Sequence, residues 1–376
     1  MSSPFRTYAA ISLPRIVSNF QSIKAVAEPG SQVAAVVKAN AYGHGMIEVS
    51  RALASAGARW LCVSSVEEGI ALREAAVAAP RILVMGGYFS YEAEALAAFQ
   101  LTPAVHSLEQ IRELDSAARL AGSPIAYHLK IDSGMGRLGT RAEASEILAT
   151  IAETPHASLE GLLTHLASPS DFSSTQTAEQ TARFREILDA LCDAGVKPRY
   201  LHAASTGAFA HGRAETFCNM VRAGISLYGY VPRTRGAAPP QHLAVKPALT
   251  WKARLVTVKE IPEGALVGYG GTFRAPRPMR IGVAGAGYAD GVMRSLSNRG
   301  RMLAAGRPAP ILGAVSMDLT TIDLTHATAL RPGDEVTLLG EEGGARIDAQ
   351  DIADDAGTIP YEILCGIGAR VHRLYT

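Results

Sequence analysis

The chain has 376 residues, 48% apolar and 19% charged, with a formal net charge of +1. That length allows a large core and is naturally divided into one large domain plus a smaller one. Near-neutral charge argues against nucleic acid and anionic membrane surfaces, no apolar run approaches membrane-spanning length, and residues 1–8 lack a signal-peptide apolar region. Cys62, Cys192, Cys218 and Cys365 stand far apart with no CxxC pair. They read as free thiols in a reducing compartment, so a cytoplasmic protein without a metal site is expected.

Up to about Tyr230 the sequence alternates between apolar, strand-like runs and segments with helical spacing. The runs fall at 33–38, 60–65, 81–86, 101–105, 125–132, 159–165, 200–205 and 220–228. Ser65-x-x-Glu68 and Ser107-x-x-Gln110 are capping-box patterns that open helices. Phe184, Ile187, Leu188 and Leu191 share one helical face, and Gly195 is placed to stop that helix. Eight strands with interleaved helices predict a (β/α)8 TIM-like barrel of the α/β class. A doubly wound sheet is the competing architecture, but it carries a glycine-rich turn where this chain has Lys38-Ala39-Asn40.

The Pro-, Arg- and Ala-rich stretch 232–247 reads as a linker. Beyond it, short runs at 250–260, 280–285, 310–323 and 335–340 predict a mostly β domain with one helix near 349–356. The glycines of 285–291 read as a tight turn, since the third is off register for a dinucleotide loop and no helix pattern follows. The expected domains are a barrel at 10–239 and a β-rich C-terminal domain at 240–376, which also takes an N-terminal strand at 1–9.

In a barrel, chemistry collects at the C-terminal ends of the strands. The first predicted strand ends in Lys38, followed by a loop with Tyr42, His44 and two glycines. Desolvation there lowers an ammonium pKa, the condition for an amine to attack a carbonyl and form a Schiff base. A lysine that snorkels to water is the plain alternative. The fifth strand carries Lys130, followed by Asp132, Gly134, Gly136 and Arg137. The sixth ends at Thr164-His165, the seventh at His202-Ala203-Ala204-Ser205, and the eighth contains Arg222, Gly224 and Ile225. Ser205, the amides near Gly224 and Ile225, and the Tyr42 hydroxyl are donors suited to a phosphate. Together with an imine-forming lysine they point to pyridoxal phosphate.

The segments VVKANAYGHG, HLKIDSGMGRLG, GLLTHLA, MVRAGISLYG, LVGYGGTF, GYADG and SMD occur in the order and approximate spacing found in alanine racemases. The chain resembles that family over essentially its whole length. The resemblance implies a pyridoxal-phosphate enzyme that interconverts L- and D-alanine, supplying D-alanine for peptidoglycan or serving alanine catabolism. Lys38 and Tyr269 look like the family's two bases, because racemisation removes a proton from one face of a carbon and returns it to the other. A tyrosine with an ordinary pKa near 10 needs positive charge nearby to act so, and His165 and Arg222 are the candidates to supply it.

Arg222 resembles the family's partner of the pyridine nitrogen; a permanently protonated arginine accepts no proton, which leaves the cofactor a weaker electron sink. Arg137 looks like the substrate-carboxylate ligand, and Lys130 corresponds to a lysine often carbamylated in the family. Met317 resembles a residue whose backbone amide meets that carboxylate, and Tyr288 and Tyr361 resemble pocket-entrance or phosphate-contacting tyrosines. Tyr42, His165, Ser205, Gly224 and Ile225 complete the implied cofactor contacts. In the family the residue matching Tyr269 reaches the partner subunit's barrel, which implies a homodimer with shared active sites. Ala204 departs from a frequent asparagine and Ser316 from a frequent cysteine. The other readings are a broader-specificity racemase, an amino-acid decarboxylase, and a B6-binding barrel without turnover. Cys365 lacks the decarboxylase context, and Tyr269 and Met317 argue against a barrel that has no second domain.

Overall fold

The computed structural model describes residues 4–27, 30–216 and 218–376. The chain forms two compact units. One takes Arg15–Ala41 and Met46–Lys246; the other takes Tyr42–Gly45, Pro247–Thr376 and the N-terminal segment up to Pro14.

Strand β1 (Thr7–Ile11) belongs to the second of these units. The first unit is built on β2 (Gln32–Val36), β3 (Trp60–Val63), β4 (Arg81–Val84), β5 (Leu101–Val105), β6 (Ile125–Lys130), β7 (Ala157–Leu163), β8 (Tyr200–His202) and β9 (Met220–Ala223). All pair in parallel in the order β8-β7-β6-β5-β4-β3-β2-β9. A Ser205–Arg222 bridge, with the Arg222 amide donating to Ala204 O at 3.0 Å, closes β8 onto β9. The result is the expected (β/α)8 barrel. Strands β3 and β5 are buried at every residue, as parallel strands covered on both faces must be.

Helix Val66–Glu74 opens where Ser65 Oγ accepts the Glu68 amide, and Leu108–Ala121 where Ser107 Oγ accepts the Gln110 amide at 3.1 Å. The reciprocal half of each expected capping box reaches one residue further back. Glu68 accepts from the Ser64 amide at 2.7 Å, and Gln110 from the His106 amide at 2.8 Å. Helix Gln176–Asp193 buries Phe184, Ile187 and Leu191, and Gly195 follows its end in the left-handed region. Seven expected strands run too long: the ladders stop at Val36, Val63, Val84, Lys130, Leu163, His202 and Ala223. Gly224 and Ile225 therefore lie not on a strand but at the cap and start of a 3-10 turn, Ile225–Tyr228.

In the second unit β1 pairs antiparallel with β10 (Leu249–Ile261). The hairpin of β11 (Leu266–Val267) and β12 (Phe273–Arg274) follows, then β13 (Met279–Ala284), β14 (Arg301–Ala304), β15 (Arg307–Pro310) and β16 (Thr320–Asp323). The unit ends with β17 (Glu335–Glu342), β18 (Ala345–Ile347) and β19 (His372–Tyr375), so it is mostly β as expected. The main sheet runs β15-β14-β17-β10-β1-β19, with β13 joining β10 to β16. Along β10 the buried residues Leu249, Trp251, Ala253 and Leu255 alternate with half-exposed ones. A register shift between Leu255 and Thr257 marks its pairing with β13. The expected run 310–323 splits into the end of β15 and β16, and helix Pro360–Cys365, with proline at its tolerated first turn, joins the expected Ala349–Ala356. No described helix is long and apolar enough to cross a membrane.

Candidate active site

Lys38 follows β2 at the barrel mouth, and the chain then turns the wrong way. Ala39, Asn40, Ala41 and Tyr42 all have φ between 51° and 54°. Each non-glycine residue in that conformation costs about 1–2 kcal/mol, so the turn must be held. Glu68 holds one end: its Oε1 accepts the Ala39 amide at 2.7 Å while Oε2 accepts that of Ser64. Asn40 Oδ1 accepts the Met46 amide at 2.8 Å, and the Tyr228 hydroxyl donates to Val36 O at 2.8 Å.

Beside it Arg222 is buried and spends both terminal nitrogens on the protein. Nη1 donates to His202 Nδ1 at 3.0 Å and His202 O at 2.7 Å. Nη2 donates to Thr164 O at 2.7 Å, Ala203 O at 3.1 Å and His165 Nδ1 at 3.2 Å. Among the described residues Nε–H has no acceptor, which leaves one guanidinium donor for another molecule. Burial, then Arg222, Lys130, Arg137 and Lys38, push the His165 imidazole down to about 3. Of the two expected sources of positive charge, Arg222 is therefore the cation and His165 a neutral group that accepts from it.

The mouth is strongly positive. Burial and the charges of Arg222, Arg137 and Lys38 push the Lys130 ammonium down to about 8, with Asp132 the one opposing charge. Asp132 is already occupied: Oδ1 accepts the amides of Gly134, Met135 and Gly136 at 2.9–3.2 Å, and Oδ2 takes Arg141 Nε at 2.8 Å. This arrangement shapes the loop that presents the exposed Arg137, with Gly134, Gly136 and Gly139 at positive φ. On the far side of the mouth, Ser205 precedes helix Thr206–Phe209 without capping it, and the Gly224 and Ile225 amides have no acceptor among the described residues. A Thr206–Ser226 hydroxyl contact of 2.9 Å ties these two segments together.

In the second unit Tyr42 and Tyr361 have ring centroids 6.1 Å apart, and burial pushes the Tyr361 phenol up to about 12. Gly43 packs so closely that a Cβ would fall 2.2 Å from Leu364 O. Tyr269 sits on the turn of the β11–β12 hairpin and is 75% exposed, with Gly268 and Gly270 at positive φ. Met317 is 54% exposed, and its amide donates to no described residue although its carbonyl accepts from Ala289. Tyr288 is also exposed, and its amide donates to Ser316 O at 3.0 Å.

The family descriptions of the alanine racemase N-terminal and C-terminal domains match residues 11–232 and 248–375. The chain belongs to the alanine racemase family. It is 40% identical over 370 residues to the alanine racemase of Halothermothrix orenii, covering 98% of this chain and 96% of the relative. The solved alanine racemase of Clostridium difficile 630 matches at a TM-score of 0.93 and 32% identity, over all of this chain and 97% of that one. The Bartonella henselae alanine racemase, solved with covalently bound pyridoxal phosphate, matches at 0.88 and 29%, covering 99% of this chain and 100% of that one. The chain is thus an amino-acid racemase, an isomerase, built on the family's barrel and β-rich domain.

The structure places Lys38, Lys130, Arg137, His165, Ser205, Arg222, Gly224 and Ile225 in the barrel unit and Tyr269, Met317 and Tyr361 in the other, and it groups Tyr42, expected on the barrel after Lys38, with the second unit. Sequence reasoning missed Glu68, visible only as a capping residue, and His128. A histidine two residues before Lys130 shares its face of β6, and that was the available signal.

Proposed function

We propose that this racemase uses pyridoxal phosphate to interconvert L- and D-alanine, with Lys38 and Tyr269 as the two bases. The observation that carries the reading is the set of unpaired donors and excess cations grouped around Lys38. Arg222 Nε–H and the Gly224 and Ile225 amides lack acceptors among the described residues, and four cations face one carboxylate that is already engaged. That donor set fits a ligand with an aldehyde, a basic ring nitrogen and a phosphate, together with a substrate carboxylate.

Held by Lys38, pyridoxal phosphate supplies an electron sink that acidifies the substrate Cα–H. Ser205, the Gly224 and Ile225 amides, Tyr42 and Tyr361 would hold its phosphate end, and Arg222 would donate to its ring nitrogen. His165, accepting from Arg222 at Nδ1, carries its proton on Nε2. Arg137 and the Met317 amide hold the substrate carboxylate. A carbamate on Lys130 would supply the anion that this cluster of cations lacks and would fix Arg137. Tyr269 and Met317 are exposed on the second unit, which supports a homodimer in which each copy completes its partner's site. On this reading the barrel is residues 10–239 and the β-rich domain 240–376 with the strand at 1–9. The enzyme works in the cytoplasm, with D-alanine destined for peptidoglycan or drawn from catabolism.

Borohydride reduction of the cofactor-loaded protein tests the assignment: the cofactor should become fixed to the Lys38 peptide. Tyr269→Phe should keep that label while losing two-way racemisation. A label on another lysine, or full racemisation by the Phe variant, overturns the roles of Lys38 and Tyr269.

A further inference from the structure

Towards the strand starts, the barrel interior holds a second polar cluster that the racemase reading leaves unused. Arg222 Nη1 donates to His202 Nδ1, so a neutral His202 carries its proton on Nε2. His202 Nε2 lies 2.8 Å from His128 Nδ1, which must then accept and leave the His128 proton on Nε2. His128 Nε2 faces Glu160 Oε2 at 3.8 Å, longer than a hydrogen bond, and neither buried atom has a hydrogen-bond partner among the described residues. The remaining oxygen, Glu160 Oε1, is held by Arg81 Nη1 at 2.5 Å. Arg81 in turn lies 4.3 Å over the Trp60 ring and donates to Thr102 Oγ1 at 3.1 Å.

We propose that Glu160 is a positioning residue for Arg222, its carboxylate facing the end of a one-directional line Arg222–His202–His128 that holds the guanidinium with its Nε–H unspent. The inference rests on the role of Arg222 as donor to the ring nitrogen. Arginine can only donate and an ionised carboxylate only accept, so the two ends impose the same direction on both histidines. Burial keeps His202 and His128 neutral. Burial would raise the Glu160 carboxyl, but His128 and Arg81 outweigh it and hold it at about 2. Gly161 makes room for the line, since a Cβ there would fall 2.6 Å from His128 Cγ and Nδ1. Without Glu160 the buried His128 N–H loses the carboxylate it faces, and the His128 ring turns to find an acceptor. His202 then loses its acceptor, and the guanidinium loses the rigid support beneath Nη1.

The test uses the full-length chain with 15N-labelled histidine, as wild type, Glu160→Gln and Glu160→Leu. Wild type should show coupling through the hydrogen bond between His202 Nε2 and His128 Nδ1. Glu160→Gln, whose amide oxygen still accepts, should keep the coupling, and Glu160→Leu should lose it. In the cofactor-loaded enzyme, Glu160→Leu should lower kcat on the order of tenfold, as for one hydrogen bond to a charged group, and leave KM nearly unchanged. A folded Leu variant with coupling and kcat intact overturns the proposal, and so does a wild-type spectrum with His128 protonated on Nδ1. Absence of racemisation by wild type, with the coupling present, would instead count against alanine racemisation itself.

Discussion

Arg222→Lys isolates the guanidinium's hydrogen bonding from its charge, because lysine keeps the cation and offers three donors where five bonds are now made. At least two acceptors must go unpaired. Thr164 O and Ala203 O have no other donor among the described residues, whereas His202 O also accepts the Thr164 amide. At about 1–3 kcal/mol for each buried orphan, the variant should lose about 2–6 kcal/mol. The compact ammonium is more strongly hydrated than a guanidinium, so its burial adds to the loss. Trp60, almost fully buried in the barrel, reports the transition in a Trp251→Phe background under urea. With a slope of about 3 kcal/mol per M, the midpoint should fall by about 0.7–2 M. A shift below about 0.2 M would refute the view that these contacts lock the barrel mouth.

Glu68→Gln keeps one acceptor for the two amides now bound and sets its NH2 against the other; cofactor affinity, read by absorbance titration, should fall on the order of tenfold as the turn behind Lys38 loosens. The buried histidines set an acid limit. His165 has its folded value near 3, below the unfolded value of about 6.5, so the unfolded chain binds a proton the folded one does not, and stability present above 6.5 is lost as pH falls toward 3. His128 and His202 are shifted in the same direction, and the urea midpoint should drop steeply over that window, less so in a His165→Asn variant. Lys130, held near 8, has an accessible neutral amine at mildly alkaline pH; 13C-bicarbonate should give a carbamate resonance that Lys130→Met abolishes.

The barrel was legible because each strand is a short apolar run bounded by helix signals, and the strand ends carried the polar groups that define the mouth. The ends of those strands were less legible: Val36, Lys130, His202 and Ala223 close their ladders where backbone groups turn to other partners, and apolar composition continues beyond them. The left-handed run 39–42 was hardly legible, since only Asn40 is of a type that favours positive φ and the restraint comes from Glu68, a distant residue. Helix Pro360–Cys365 is short enough that its pattern is lost among the neighbouring strands. The neutrality of His165 follows from its burial and then from four surrounding cations, both of which only the fold supplies.

The most direct measurement is circular dichroism of the purified, cofactor-loaded protein incubated separately with L-alanine and with D-alanine, beside L-serine and L-lysine. Both alanine signals should decay to zero while those of serine and lysine hold, and Lys38→Ala should abolish the decay. Unchanged alanine signals with cofactor bound would contradict alanine racemisation, and equal decay of serine or lysine would contradict its restriction to alanine.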